Sequence, residues 1–129
     1  MTLLIDTHCW LWWLTEPGRL RAPALSLLNE AGTRILLSAA SSWEIAIKYS
    51  LGKLDLPQHP EEFIPARLQR DRIEALAIEH SHALKTAALP YHHRDPFDRL
   101  LIAQAMVLDI PIMTADPAFD AYEVQVISS

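Results

Sequence analysis

Glycine is scarce in this chain, with three in 129 residues. No glycine-rich loop can therefore cradle a phosphate, and no dinucleotide fingerprint is present. A single cysteine, Cys9, rules out a disulfide framework within the chain and suits a reducing, cytoplasmic setting. Beside no evident base, it reads as a small core residue. No apolar run is long enough to span a bilayer, and no basic stretch precedes an apolar one at the N-terminus. Positive charge is also in short supply: the formal net charge is −5. A basic surface would mark a nucleic-acid binder; its absence leaves room for an enzyme whose metal ions meet the phosphates. No internal repeat or linker appears.

What is present is an apolar half of ordinary composition, enough for the core of one domain over residues 1–129. "TLLID" reads as a buried strand. "HCWLWWL" reads as a helix with Thr7 as N-cap, and "PALSLLNEA" as a helix with Pro23 early and Gly32 at its close. "RILLSAA" is a second buried strand, and "SWEIAIKYSLGKL" a helix stopped by Gly52. "PEEFIPARLQRD" is helical, with Pro65 interrupting or ending its first half. "RIEALAI" suggests a short strand, and "SHALKTAAL" a helix ended by Pro90. "DPFDRLLIAQAMVLD" is a helix with Asp95 as N-cap and Pro96 at its first position. "IPIMTA" and "VQVIS" are strands. Strands alternate with helices and are continuously apolar, the signature of an α/β fold whose parallel sheet is covered on both faces.

Each acid has a dull explanation. Ser41 and Glu44 in "SSWE" match a capping box. Asp95 and Asp116, each before a proline, match N-caps, and Asp6 can cap the first helix. Taken together they say more. Asp6 ends the first strand, Glu44 stands just beyond the second, and Asp116 ends "IPIMTA". In a parallel sheet those ends share one edge, where ligands bind. Asp98, in a first helical turn, can reach the same edge. Carboxylates gathered there repel one another. A hard divalent cation such as Mg²⁺ resolves the repulsion and binds phosphate oxygens. It also activates water against a phosphodiester.

Other residues carry less. His92 and His93 beside Arg94 lack the second His or Cys pair that zinc requires, and read as an exposed loop. His80 and His82 lie one apart at a helix start. Lys48 is either a surface partner of Glu44 or the residue that holds it. Arg99 is either a phosphate ligand or a solvated helix position. Trp10, Trp12, Trp13 and Trp43 read as core or subunit contact rather than base-stacking groups.

The fragments "LLIDTHCWLW", "SAASSWEIAIKYSLGKL", "DPFDRLLIAQA" and "IPIMTAD", in this order over nearly the whole chain, resemble PIN-domain proteins. Their spacing is similar to the VapC-type ribonuclease toxins of toxin–antitoxin pairs. The resemblance implies a three-layer α/β/α fold and a Mg²⁺- or Mn²⁺-dependent endoribonuclease acting on RNA. It implies that Asp6, Glu44, Asp98 and Asp116 bind the metal and activate water. It also implies a cognate antitoxin in the cleft and a homodimer. An acidic toxin is compatible with neutralisation by a basic segment of such a partner. Asp95 and Asp120 offer rival registers; the small and apolar residues after Asp98 favour that position, and Asp120 lies beyond the strand end. Two other functions fit the same pattern, a non-catalytic binding module and a DNA-directed nuclease.

Overall fold

The computed structural model describes residues 1–129. Five short strands, β1 (Thr2–Ile5), β2 (Arg34–Ser38), β3 (Glu74–Leu76), β4 (Ile112–Thr114) and β5 (Val126–Ser128), form one sheet in the order β3-β2-β1-β4-β5. All four pairings are parallel. The helices are α1 (Thr7–Thr15), α2 (Ala22–Asn29), α3 (Ala39–Ser50), α4 (Pro60–Asp71), α5 (His80–Lys85) and α6 (Pro96–Leu108). No helix is long and apolar enough to cross a membrane.

The apolar strands are buried because both faces of the sheet are covered. Leu3, Ile5 and Met113 point into one core with Trp10, Leu28, Ile45 and Phe63. Leu4 and Ile112 point the other way, into a core with Leu101, Ile102, Ala105 and Phe119. The alternation along β1 thus divides the molecule into helix, sheet and helix layers. Each fully buried Leu or Ile contributes about 1.5–3 kcal/mol to that division.

The strand order reverses at β1. The chain moves outward through β2 and β3, then returns to add β4 and β5 on β1's other side. Such a switch point opens a crevice at the carboxyl ends of the two central strands. Leu4 and Ile5 pair with Ile112 and Met113, and the Asp6 N–H continues the ladder to the Met113 carbonyl at 3.0 Å. One residue further on, Asp6 faces Thr114.

Several local expectations change. The N-cap of α1 is Asp6, not Thr7: the Asp6 Oδ1 accepts the Cys9 N–H at 2.8 Å. Strand β2 stops at Ser38, and its expected last residues, Ala39 and Ala40, begin α3. Ser38 is the cap, accepting from the Ala40 N–H. The Ser41–Glu44 capping box therefore does not form. Starting the helix three residues earlier moves Glu44 into the body of α3, where it is buried. Pro65 neither ends nor divides α4. It sits on the exposed side, so water can serve the one carbonyl its missing N–H leaves free.

Candidate metal centre

Asp6 projects from the end of β1 with both carboxylate oxygens already oriented. The α1 N-terminus holds Oδ1 through the Cys9 N–H, and the Thr114 hydroxyl donates to Oδ2 at 2.5 Å. Thr114 in turn accepts the Asp116 N–H at 3.1 Å. This hydroxyl ties the ends of β1 and β4 together. Asp116 caps the 3₁₀ turn Pro117–Ala121 through Oδ1, which accepts from the Ala118 N–H, so Oδ2 faces the cleft.

Glu44 reaches the cleft from α3. Its side chain is 4% exposed, and Lys48 one turn later donates to Oε2 at 2.7 Å. The pair is thus no surface i,i+4 bridge: Lys48 holds a buried carboxylate. The other oxygen, Glu44 Oε1, is buried without a hydrogen-bond partner. Ser41, now inside the helix, accepts from the Thr7 hydroxyl at 2.8 Å and fastens α3 to α1.

Asp98 lies in the first turn of α6. Asp95 caps that helix, accepting from the Phe97 and Asp98 N–H groups. The Asp98 carboxyl is pushed up to about 7, first by burial and then by the charge of Asp95. His93 pulls it down, while Asp6 and Glu44 push it up further. Asp98 therefore feels Asp6 and Glu44 directly. It is joined to Asp116 through His93, whose Nε2 lies 2.9 Å from Asp98 Oδ2 and 3.0 Å from Asp116 Oδ2. The structure thus sets Asp98 and Asp116 on either side of His93, with Asp6 and Glu44 near enough for their charges to raise Asp98. Asp95 joins as a cap and a charge, while Asp120 is exposed on the 3₁₀ turn.

Two side chains here escaped the sequence reading. His93 does not sit in an exposed loop but in the acidic cleft. Its signal was local: "HRD" before a capped helix lets the imidazole Nδ1 accept the Asp95 N–H two residues on, at 3.2 Å. Thr114 escaped because a strand-end threonine is ordinary; only the Thr-Ala-Asp spacing hinted that it could accept the Asp116 N–H. Arg99 is neither a phosphate ligand nor solvated. It is buried and donates to the carbonyls of Thr86, Leu89, Pro90 and His93. His92 is exposed against Tyr122. His82 is buried, accepting the Glu79 N–H and meeting Gln104. Trp10 is core, Trp12 and Trp13 pack beside it, and Trp43 is 59% exposed against Phe97.

The donor set suits a hard divalent cation. It is made of carboxylate oxygens, with Glu44 Oε1 lacking any protein partner and Asp98 driven toward its neutral form by burial and then by the neighbouring acids. Ligand-type atoms of His93, Asp98 and Asp116 all lie within 4.8 Å of one another.

A doubly wound α/β fold with a carboxylate centre at its switch point defines the class of protein. Within that class the chain belongs to the PIN domain family, whose model matches residues 3–125. A segment of 68 residues is 41% identical to Ribonuclease VapC16 of Mycobacterium tuberculosis (strain ATCC 25618 / H37Rv); it covers 50% of this chain and 48% of that protein. The match therefore spans about half the length of this curated relative. The fold is shared by VapBC2 from Rickettsia felis bound to a DNA fragment from its promoter (TM-score 0.75, 14% identity, 100% of this chain and 99% of that one). It is shared also by DNA-bound VapBC from Salmonella typhimurium (TM-score 0.71, 16% identity, 99% and 98%).

Proposed function

We propose that this chain is a divalent-cation-dependent endoribonuclease, using Mg²⁺ or Mn²⁺, and that it acts as the toxin of a toxin–antitoxin pair. The observation that carries the reading is the group of buried and half-buried carboxylates at the switch point, left short of positive charge. Asp6, Glu44, Asp98 and Asp116 would hold the cation. Bound there, it would neutralise charge on a phosphodiester and make a coordinated water a stronger nucleophile.

The chain's own residues supply the rest. Cys9 and Thr114 fix the direction of Asp6, so it needs no reorganisation when substrate arrives. Lys48 orients Glu44 and leaves Oε1 free. Asp116, with a side chain 39% exposed, stands at the mouth and is placed to take a proton from an attacking water.

RNA as substrate is supported by the ribonuclease that half the chain resembles. An antitoxin partner is supported by the neighbours of like fold, which are toxin–antitoxin complexes. A homodimer is supported by an exposed apolar face of Trp43, Ala83, Phe97 and Leu100. A cytoplasmic location agrees with the single unpaired thiol.

The test pairs RNA and DNA of equal sequence, with Mg²⁺, with Mn²⁺ or with chelator. RNA is cut only with metal. Asp6→Asn loses on the order of 100-fold or more in rate while circular dichroism is unchanged. Cleavage by Asp6→Asn at the original rate overturns the assigned centre. Cutting of DNA alone selects the DNA-directed nuclease, and no cutting with no metal uptake selects the binding module. Expression of the intact chain should arrest growth, and Asp6→Asn should relieve the arrest.

A further inference from the structure

We propose that His93 is a positioning residue of the carboxylate centre: its Nε2–H spaces Asp98 and Asp116 for the cation, and the ring itself stays outside the coordination sphere. The inference rests on the metal-dependent reading above and assigns a role within it.

Proximity alone would make His93 a ligand, since Nε2 belongs to the same tight group of atoms as the two carboxylates. The other side of the ring says otherwise. Nδ1 faces the Asp95 N–H at 3.2 Å and accepts from it. A nitrogen that accepts carries no proton, so in the neutral ring the proton is on Nε2. There Asp116 Oδ2 accepts it at 3.0 Å, and Asp98 Oδ2 lies 2.9 Å from the same nitrogen as a close ionic contact. A protonated ring nitrogen has no lone pair to give a metal. Hard cations of this class also favour oxygen.

The ring is held in this orientation from several sides. The His93 N–H donates to the Tyr122 hydroxyl at 2.8 Å. The Phe119 ring packs edge-on at 5.9 Å and 82°. The Asp95 N–H belongs to the residue that caps α6, so helix and imidazole are set together. One ring nitrogen thus sits between two carboxylates from separate elements, hydrogen-bonded to Asp116 after β4 and in close contact with Asp98 on α6. Without it the Asp116 side chain, the more exposed of the two, would be held by the Ala118 N–H alone.

Three measurements on the full chain test this. Nitrogen-15 spectra of the histidines in the metal-free protein should show His93 protonated at Nε2 and bare at Nδ1; the opposite tautomer overturns the proposal. Pulsed electron paramagnetic resonance of the Mn²⁺-loaded protein should show no directly bound nitrogen, and such a coupling overturns it too. In Mn²⁺ calorimetry, His93→Leu should weaken binding about 10-fold or more, as loss of an outer hydrogen bond does. His93→Gln, which keeps an N–H in reach, should recover to within about threefold of the original. His93→Leu combined with Asp116→Asn should bind no more weakly than Asp116→Asn alone. Equal affinity of His93→Leu and the parent, or no recovery by His93→Gln, overturns the positioning role and leaves the metal reading standing. No Mn²⁺ uptake by the parent removes both.

Discussion

Asp98 and Arg99 are neighbours in α6, both withdrawn from solvent, yet the protein treats them in opposite ways. Both terminal nitrogens of the Arg99 guanidinium are hydrogen-bonded. Nη1 and Nη2 donate to the carbonyls of Pro90 and Thr86 at 2.9 Å and of Leu89 at 3.2 Å, and the Tyr91 ring lies over it at 4.1 Å. The Asp98 carboxyl is buried among further acids, and burial first, then their charge, raises it to about 7. A buried charge whose hydrogen bonds are met costs far less than one left unpaired. A buried charge left in debt marks a place where something else must bind. Arg99 is architecture, and Asp98 belongs to the proposed centre.

The largest effect that tests this contrast is expected at Arg99. Arg99→Leu takes the guanidinium donors from the carbonyls of Thr86, Leu89 and Pro90, leaving Thr86 only the Leu89 N–H and Pro90 only the Tyr122 hydroxyl. It should destabilise the fold by roughly 3–5 kcal/mol, read from urea unfolding. An unchanged midpoint would remove Arg99 from the structural side.

Asp98→Asn should do the reverse in chelator, raising stability by on the order of 1–2 kcal/mol, while it abolishes cleavage. The parent carries a matching pH signature. Its folded-state Asp98 binds a proton more tightly than the unfolded chain, whose carboxyl titrates near 3.8. Metal-free stability from this group is therefore greatest at acid pH and falls as pH rises from about 4 through about 7. Saturating Mg²⁺ should flatten that slope, because the cation favours the ionised form. A metal-free profile that climbs over this range would contradict the assignment.

The smallest effect concerns Cys9, a third withdrawn group that sits on Arg99's side of the contrast. Burial and the Asp6 charge push its thiol up to about 12, and Sγ meets the Ser129 Oγ at 2.8 Å. Iodoacetamide at pH 8 should leave the native protein unmodified and label it only in denaturant. Rapid native labelling would show that the α1 N-terminus opens.

The layers and the parallel sheet were legible because the strands are unbroken apolar runs separated by amphipathic segments. The acids were legible as strand-end and helix-start residues. What stayed hidden depended on long-range partners. Nothing local tells that Arg99 turns inward, since the carbonyls it meets lie 6 to 13 residues earlier in a turn with no motif. His93 was hidden because its two acids arrive from separate elements. The start of α3 was misplaced because Ser38 and Ser41 are equally good caps, and the sheet's hydrogen bonds, not propensity, decided for Ser38.

The hydrogen bond between Thr114 and Asp6 joins residues 108 positions apart, and this sets a schedule. As the chain is synthesised, Asp6 emerges first and waits beside an unfilled slot in the sheet until β4 slides in. Any polypeptide that stops short of that strand lacks Thr114 and Asp116, the residues that complete the proposed centre. On the proposed reading, competence arrives at one late moment of folding rather than growing with length.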